Sequence, residues 1–162
     1  MSSHAQQGQH ADERPGAERE GPAPELTGRL GYLLKHAQQR LAELTAAALA
    51  PYGLTGRELA VMVVLAGGEP ASQQQAARRL GVDRTTMVAL LDALESKGLV
   101  ARHPHADDRR RNIVELTAAG HVTLRDATRA GDEAERRFLA PLDQPAAKGL
   151  KDALRAVILP DA

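Results

Sequence analysis

The chain has no cysteine and very few aromatic residues: two tyrosines, one phenylalanine and no tryptophan among 162 residues. The first absence excludes disulfides, thiolate catalysis and thiol redox sensing, and it fits a reducing compartment. The second means that leucine, alanine and valine must build the core, which suits closely packed helices. No run approaches the roughly 18 apolar residues that a membrane helix requires, and the N-terminus lacks an apolar signal core. Basic and acidic side chains balance at 21 each, so net charge alone announces no polyanionic partner. These features describe a soluble, cytoplasmic protein built around one domain.

Residues 1–24, MSSHAQQGQHADERPGAEREGPAP, hold Gly, Pro, Gln and acids with almost nothing large and apolar. Such a segment cannot bury enough surface to offset its ordering entropy, so it is expected to be a disordered tail. Its acids (Asp12, Glu13, Glu18, Glu20) outnumber its bases (Arg14, Arg19). The zero net charge therefore hides a more basic remainder.

From Glu25 onward, Leu26, Leu30, Leu33, Leu34, Ala37, Leu41, Leu44 and Ala48 recur at helical spacing, and Pro51 and Gly53 end that helix. Thr55–Glu58 (TGRE) is a capping box that opens a second helix, stopped by Gly67-Gly68. Ser72–Gln75 (SQQQ) is another, opening a short helix to Leu80 that Gly81 breaks. Asp83 caps a fourth helix to Lys97, with Gly98 at the position after its end. Two strand candidates follow, Leu99–His103 and Asn112–Leu116, with a loop between them. Thr117 caps a long helix to about Leu139, Pro141 interrupts, and a last helix presents Leu150, Ala153, Leu154, Val157 and Ile158. The expected fold is mainly α with a small β-hairpin. Residues 25–54 and 118–162 form long terminal helices, and 55–117 form a central lobe.

Within 72–116 the order is short helix, tight turn, second helix, hairpin: a helix-turn-helix followed by a wing. A helix fits the width of the DNA major groove, and a hairpin reaches the backbone or the adjacent minor groove. On the second helix Met87, Leu90, Leu91 and Leu94 share one face and should pack inward. Arg84, Thr85, Thr86, Val88 and Ala89 lie at its N-terminal end and on other faces. Arg84 can meet guanine with two hydrogen bonds or pair with phosphate. The threonines are short donors and acceptors, and Val88 and Ala89 offer only apolar contact, for example to a thymine methyl. Ser72 and Gln73, at the start of the preceding helix, complete the candidate surface. The plain alternative is a solvated helix start.

The hairpin loop carries Asp107, Asp108, Arg109, Arg110 and Arg111 in succession. Arginines at a hairpin tip are favourable against phosphates or a narrow, negative minor groove. Strand alternation keeps all three from facing one way, so one or two face DNA and one pairs with an acid.

The segments QQAARRLGVDRTTMVALLDALESKGLVAR and DRRRNIVELTAAG, flanked by long helices, resemble the MarR (multiple antibiotic resistance regulator) family of transcription factors. The resemblance runs from about Glu25 to Ile158, and the wing pattern is its most specific part. It implies a homodimer on a pseudo-palindromic double-stranded operator, a repressor controlling its own or a neighbouring divergent gene, and a wing in which Asp108 gives support while Arg109 or Arg110 contacts DNA. It further implies a small phenolic or anionic effector in a cleft between the dimer and DNA-binding lobes. His36, Arg40, Tyr52, Arg57 and Met62 are candidates near the first helix junction. One departure is Ala89, where many relatives carry a polar or basic residue, which shifts base reading toward Arg84, the threonines and DNA shape. With cysteine absent, the thiol-oxidation branch of the family is excluded.

Apolar faces at both ends of the chain lack local cover, which independently points to a subunit interface. His103–Asp108 (HPHADD) has two histidines and two carboxylates that could hold a metal, but Pro104 and the hairpin setting favour a plain loop. His36 and His121 read as polar-face residues. No nucleophile–base arrangement, phosphate loop or paired catalytic acids is present, so neither an enzyme nor a cofactor is expected. The rival of another class is a winged helix used for protein contacts, which has no need of Arg109, Arg110 and Arg111.

Overall fold

The computed structural model describes residues 24–67, 71–104 and 112–159. Two units divide at Lys35 and His36. In the first, a 3-10 turn, Pro24–Leu26, precedes the start of α1 (Leu30–Leu49). The expected helix was to run from Leu26. Instead the backbone amide of Arg29 closes a turn on the carbonyl of Leu26 (2.9 Å), and regular helix begins at Leu30. Pro24 and Gly28, both poor helix residues, delay it although the leucine spacing continues. The disordered tail expected over 1–24 falls almost wholly outside the described residues.

The second unit contains the rest of α1, a 3-10 turn at Ala50–Tyr52, α2 (Gly56–Ala66), β1 (Ala71–Ser72), α3 (Gln73–Leu80), α4 (Arg84–Ser96), β2 (Val100–Pro104), β3 (Asn112–Leu116), α5 (Ala118–Leu139) and α6 (Gln144–Ile158). Both capping boxes form. Thr55 Oγ1 accepts from the amide of Glu58 (3.2 Å) while the amide of Thr55 donates to Glu58 Oε2 (2.8 Å). Ser72 and Gln75 exchange the same pair of bonds. Asp83, Thr117 and Asp143 cap α4, α5 and α6 through their side chains.

Gly81 ends α3 with φ 68°, a left-handed conformation that costs other residues energy. Its amide bonds to Arg78 O and that of Val82 to Ala77 O, the paired bonds of a Schellman stop. Gly98 (φ 69°) ends α4 in the same way, on Glu95 and Leu94. These two stops fix where the helix-turn-helix begins to turn and where the hairpin leaves it.

The sheet has three antiparallel strands in the order β1-β3-β2, whereas the sequence pattern gave only a hairpin. The added strand pairs Ala71 with Val114 and Ser72 with Ile113. Two residues are too few to show alternation, so β1 left no periodic signal. β2 runs one residue later than expected and pairs from Val100–Leu116 to Pro104–Asn112.

One core joins the end of α1 to α2, α3, α4, the sheet and α5. Leu49, Val61, Met62, Leu91 and Leu94 are fully buried there, with Met87 and Val114 almost so. Each such side chain contributes about 1.5–3 kcal/mol by leaving water. On α5, Ala127 and Ala134 are buried while Val122 is half exposed. α6 buries none of its residues. Among the described residues no single helix is long and apolar enough to cross a membrane.

Candidate nucleic-acid interface

α4 has two faces with different chemistry. Met87, Leu91 and Leu94 are buried and hold the helix to the core, as their spacing predicts. Arg84, Thr85 and Ala89 are exposed, and Thr86 and Val88 partly so. The N-terminus of α4 therefore exposes a guanidinium and a hydroxyl. Ser72 and Gln73 are partly exposed at the start of α3. The Ser72 hydroxyl already accepts from the amide of Gln75 (3.3 Å), so it keeps its proton for an outside acceptor.

Thr86 is more committed than its sequence context shows. Its amide donates to Asp83 Oδ1 (2.8 Å) and its hydroxyl to Oδ2 (2.6 Å). The hydroxyl proton, foremost, and the amide hold the Asp83 carboxyl below its ordinary pKa. Thr86 can thus accept from a base edge but has no proton to give, which leaves Thr85 and Arg84 as the donors at this helix end. Asp107, Asp108, Arg109, Arg110 and Arg111 lie outside the described residues, as does most of the HPHADD segment.

The hairpin stem shows an arrangement that local pattern reading missed. Arg102, on β2, sends Nη2 to Asp92 (2.5 Å) and Nη1 to Glu95 (2.8 Å), both on α4. A signal was present in the sequence. Arg102 shares strand parity with Val100, which is buried, so an arginine on that face required an acid. A second tie joins the C-terminal end of α4 to α2. Lys97 Nζ donates to Glu58 Oε1 (2.6 Å) and to the carbonyl of Gly53 (2.7 Å). Burial would raise the Glu58 pKa, but the Lys97 hydrogen bond, the two bonds from Thr55 and the Lys97 charge outweigh it and hold the carboxyl below its ordinary value.

The motif Leu116-Thr117-x-x-Gly120 also has a physical cause. Thr117 Oγ1 donates to Gly98 O (2.7 Å) and accepts from the amide of Gly120 (2.9 Å). A Cβ on Gly120 would stand 2.0 Å from the carbonyl oxygen of Leu99. Only glycine lets α5 start this close to the root of β2.

The five effector candidates differ in burial. Met62 is fully buried in the core, and Tyr52 is partly buried against it. Arg57 is exposed in the first turn of α2, and His36 and Arg40 lie on exposed positions of α1. A half-open cleft of about 270 Å³ lies between α1 and α5, lined by Leu44, Ala47, Ala48, Ala130, Glu133, Ala134 and Arg137. None of the five lines it. Glu133 is held below its ordinary pKa chiefly by the Arg136 hydrogen bond.

Comparison with known proteins agrees with this geometry. Residues 52–111 match the sequence model of the MarR family. The HTH-type transcriptional repressor Rv2887 of Mycobacterium tuberculosis is 33% identical over 125 residues, 77% of this chain and 90% of that protein. The HTH-type transcriptional repressor NicR of Pseudomonas putida is 30% identical over 100 residues; that match spans 62% of this chain and 63% of NicR. The transcriptional repressor CouR bound to a 23-mer DNA duplex superposes with a TM-score of 0.80 at 34% identity, over 86% of this chain and 99% of CouR. CouR from Rhodococcus jostii bound to p-coumaroyl-CoA superposes at 0.74 and 28% identity, over the same shares. With a helix-turn-helix followed by a hairpin, and with Rv2887 and CouR matched over 90% and 99% of their lengths, this chain belongs to the MarR family of winged helix-turn-helix regulators and is a DNA-binding transcriptional repressor, not an enzyme.

Proposed function

We propose that the chain acts in the cytoplasm as a homodimer on a pseudo-palindromic operator, and that a small phenolic or anionic molecule releases it. α4 enters the major groove by its first turn. Arg84 contacts guanine or phosphate, Thr85 donates, Thr86 accepts, and Val88 and Ala89 make apolar contact. Ser72 and Gln73 meet the backbone from the start of α3. Arg109, Arg110 and Arg111 bring the hairpin onto phosphate or into the minor groove, with Asp108 supporting the loop. The observation that carries this reading is the split of α4: its apolar face is consumed by the core, so its first turn is left to face outward.

Dimerisation is assigned to residues 25–54 and 118–162, and DNA reading to 55–117. The support is α6, whose Val157 and Ile158 are 79% and 71% exposed. The effector reading is supported by CouR, which is seen bound to p-coumaroyl-CoA. It places the ligand near the α1–α2 junction, among His36, Arg40, Tyr52 and Arg57, with Met62 acting from the core. A dimer reading half-sites one helical turn apart must hold its recognition helices about 34–36 Å from each other. A ligand that rotates the lobes changes that spacing.

Selection from a randomised duplex pool tests the DNA contacts. Arg84→Ala should lose about 1–3 kcal/mol of discrimination at one base pair per half-site. Unchanged base preference excludes direct readout by Arg84. Calorimetric titration of aromatic acids and their thioesters, with and without the selected duplex, tests the switch. Linkage requires each to weaken the other by one factor, and identical ligand affinity in both states rejects it.

A further inference from the structure

We propose that Arg102 is a positioning residue for DNA binding: through its clamp to Asp92 and Glu95 it holds the hairpin at a set angle to the recognition helix, so that helix and hairpin meet DNA as one body. The inference rests on the reading that the hairpin arginines contact phosphate. It concerns the stem of the wing, away from the loop that carries those arginines.

The geometry is that of a two-pronged lock. Asp92 and Glu95 are three residues apart on α4 and so share a face. Arg102 projects from the strand bonded to β3, and its two terminal nitrogens reach one acid each, at 2.5 and 2.8 Å. The guanidinium is a rigid planar fork, so satisfying both acids fixes its plane and with it the strand that carries it. The Arg102 side chain is only 20% exposed, whereas Asp92 and Glu95 are 58% and 42% exposed. Its Nε is buried without a partner among the described residues. An arginine that leaves one donor unsatisfied in order to keep both acids is oriented by those acids.

The charges carry a second consequence. Asp92 and Glu95 are carboxylates on the helix that approaches a polyanion. Simple electrostatics says that neutralising them strengthens binding to any DNA. The clamp says the reverse, because freeing Arg102 frees the hairpin and weakens its hold on phosphate. The two effects have opposite signs, which makes the inference decidable.

The experiment uses the full chain carrying Asp92→Asn with Glu95→Gln, and separately Arg102→Met. The probe is a duplex that the unaltered protein selects from a randomised pool, titrated by fluorescence anisotropy between about 50 and 200 mM salt. For the Asn/Gln variant the affinity should fall about tenfold, and log K against log salt should become shallower by about 0.9 for each phosphate that the hairpin no longer neutralises. The base preference set at the start of α4 should stay the same, with the thermal midpoint near that of the parent. Arg102→Met should behave alike on DNA. Affinity equal to or above the parent's, with an unchanged slope, overturns the clamp. Arg110→Ala is the companion arm. An unchanged slope there overturns the phosphate reading of the hairpin and the inference with it, whereas a shallower slope there alongside an unchanged Asn/Gln variant overturns the clamp alone.

Discussion

The lobe around α4 and the final helix α6 are built from the same alanine- and leucine-rich stock and end up in opposite conditions. In the lobe, Met87, Leu91, Leu94, Val100 and Val114 are all at most 2% exposed. In α6, Leu150, Leu154, Val157 and Ile158 stand between 37% and 79% exposed, and the Lys151–Glu135 ion pair is a tie to α5 that lies at the surface. The lobe is finished within one chain. α6 keeps an exposed apolar stripe, which is what the proposed subunit contact would cover.

The sharpest way to break the comparison is to damage the lobe alone. Gly120→Ala puts a methyl where the Leu99 carbonyl stands, so stability should fall by about 3 kcal/mol, the upper end of overpacking costs. Urea unfolding measures it, and a decrease under about 0.5 kcal/mol, the scale of neutral surface changes, means that α5 shifts freely. Val157→Asp should do the converse. It places a charge in the proposed subunit contact and should weaken self-association about a hundredfold, about 2.8 kcal/mol, with the lobe's unfolding midpoint retained at equal monomer content. Sedimentation equilibrium giving the parent's dimer constant removes α6 from the interface.

A smaller effect belongs to Lys97→Met, about 1–2 kcal/mol because Lys97 is partly exposed and its removal leaves the Glu58 carboxylate short of a donor. Glu58 has a lowered pKa in the folded chain. Its contribution is therefore present above the ordinary carboxylate range and lost as pH falls through the lowered folded value. The stability gap between parent and variant should be widest at neutral pH and close in acid. A gap that stays constant with pH shows that Lys97 acts by packing. Least of all, Ser72→Ala should cost about 1 kcal/mol for the missing cap. An unchanged unfolding midpoint means that the strand pairing at Ser72 already fixes the start of α3 without its side chain.

What could be read in the sequence was local. Capping boxes, the glycines after α3 and α4, and the apolar face of α4 each depend on residues within about one or two turns, and all appear where their spacing places them. The exposure of Arg84 and Thr85 followed from the same periodicity. Features that join distant segments were not legible by that route. β1 is too short to alternate, and Lys97 meets Glu58 across 39 positions. Arg102 could have been flagged by its strand parity, though not its partners. Thr86 kept its place and gave up a donor, because Asp83 both caps the helix and takes the hydroxyl proton. Met62 went to the core because α2 needed its bulk against the other helices. Leu26 misled in the other direction, since apolar spacing continued through a stretch whose proline and glycine disfavour helix.

Ser72 belongs to two elements at once, as the last residue of β1 and as the cap of α3. Strand pairing to Ile113 and the opening of the helix-turn-helix therefore meet in a single residue. Local opening of the sheet edge must also uncap α3, so the β3 amides at Ile113 and Val114 and those of the first turn of α3 should exchange with solvent together, as one cooperative unit.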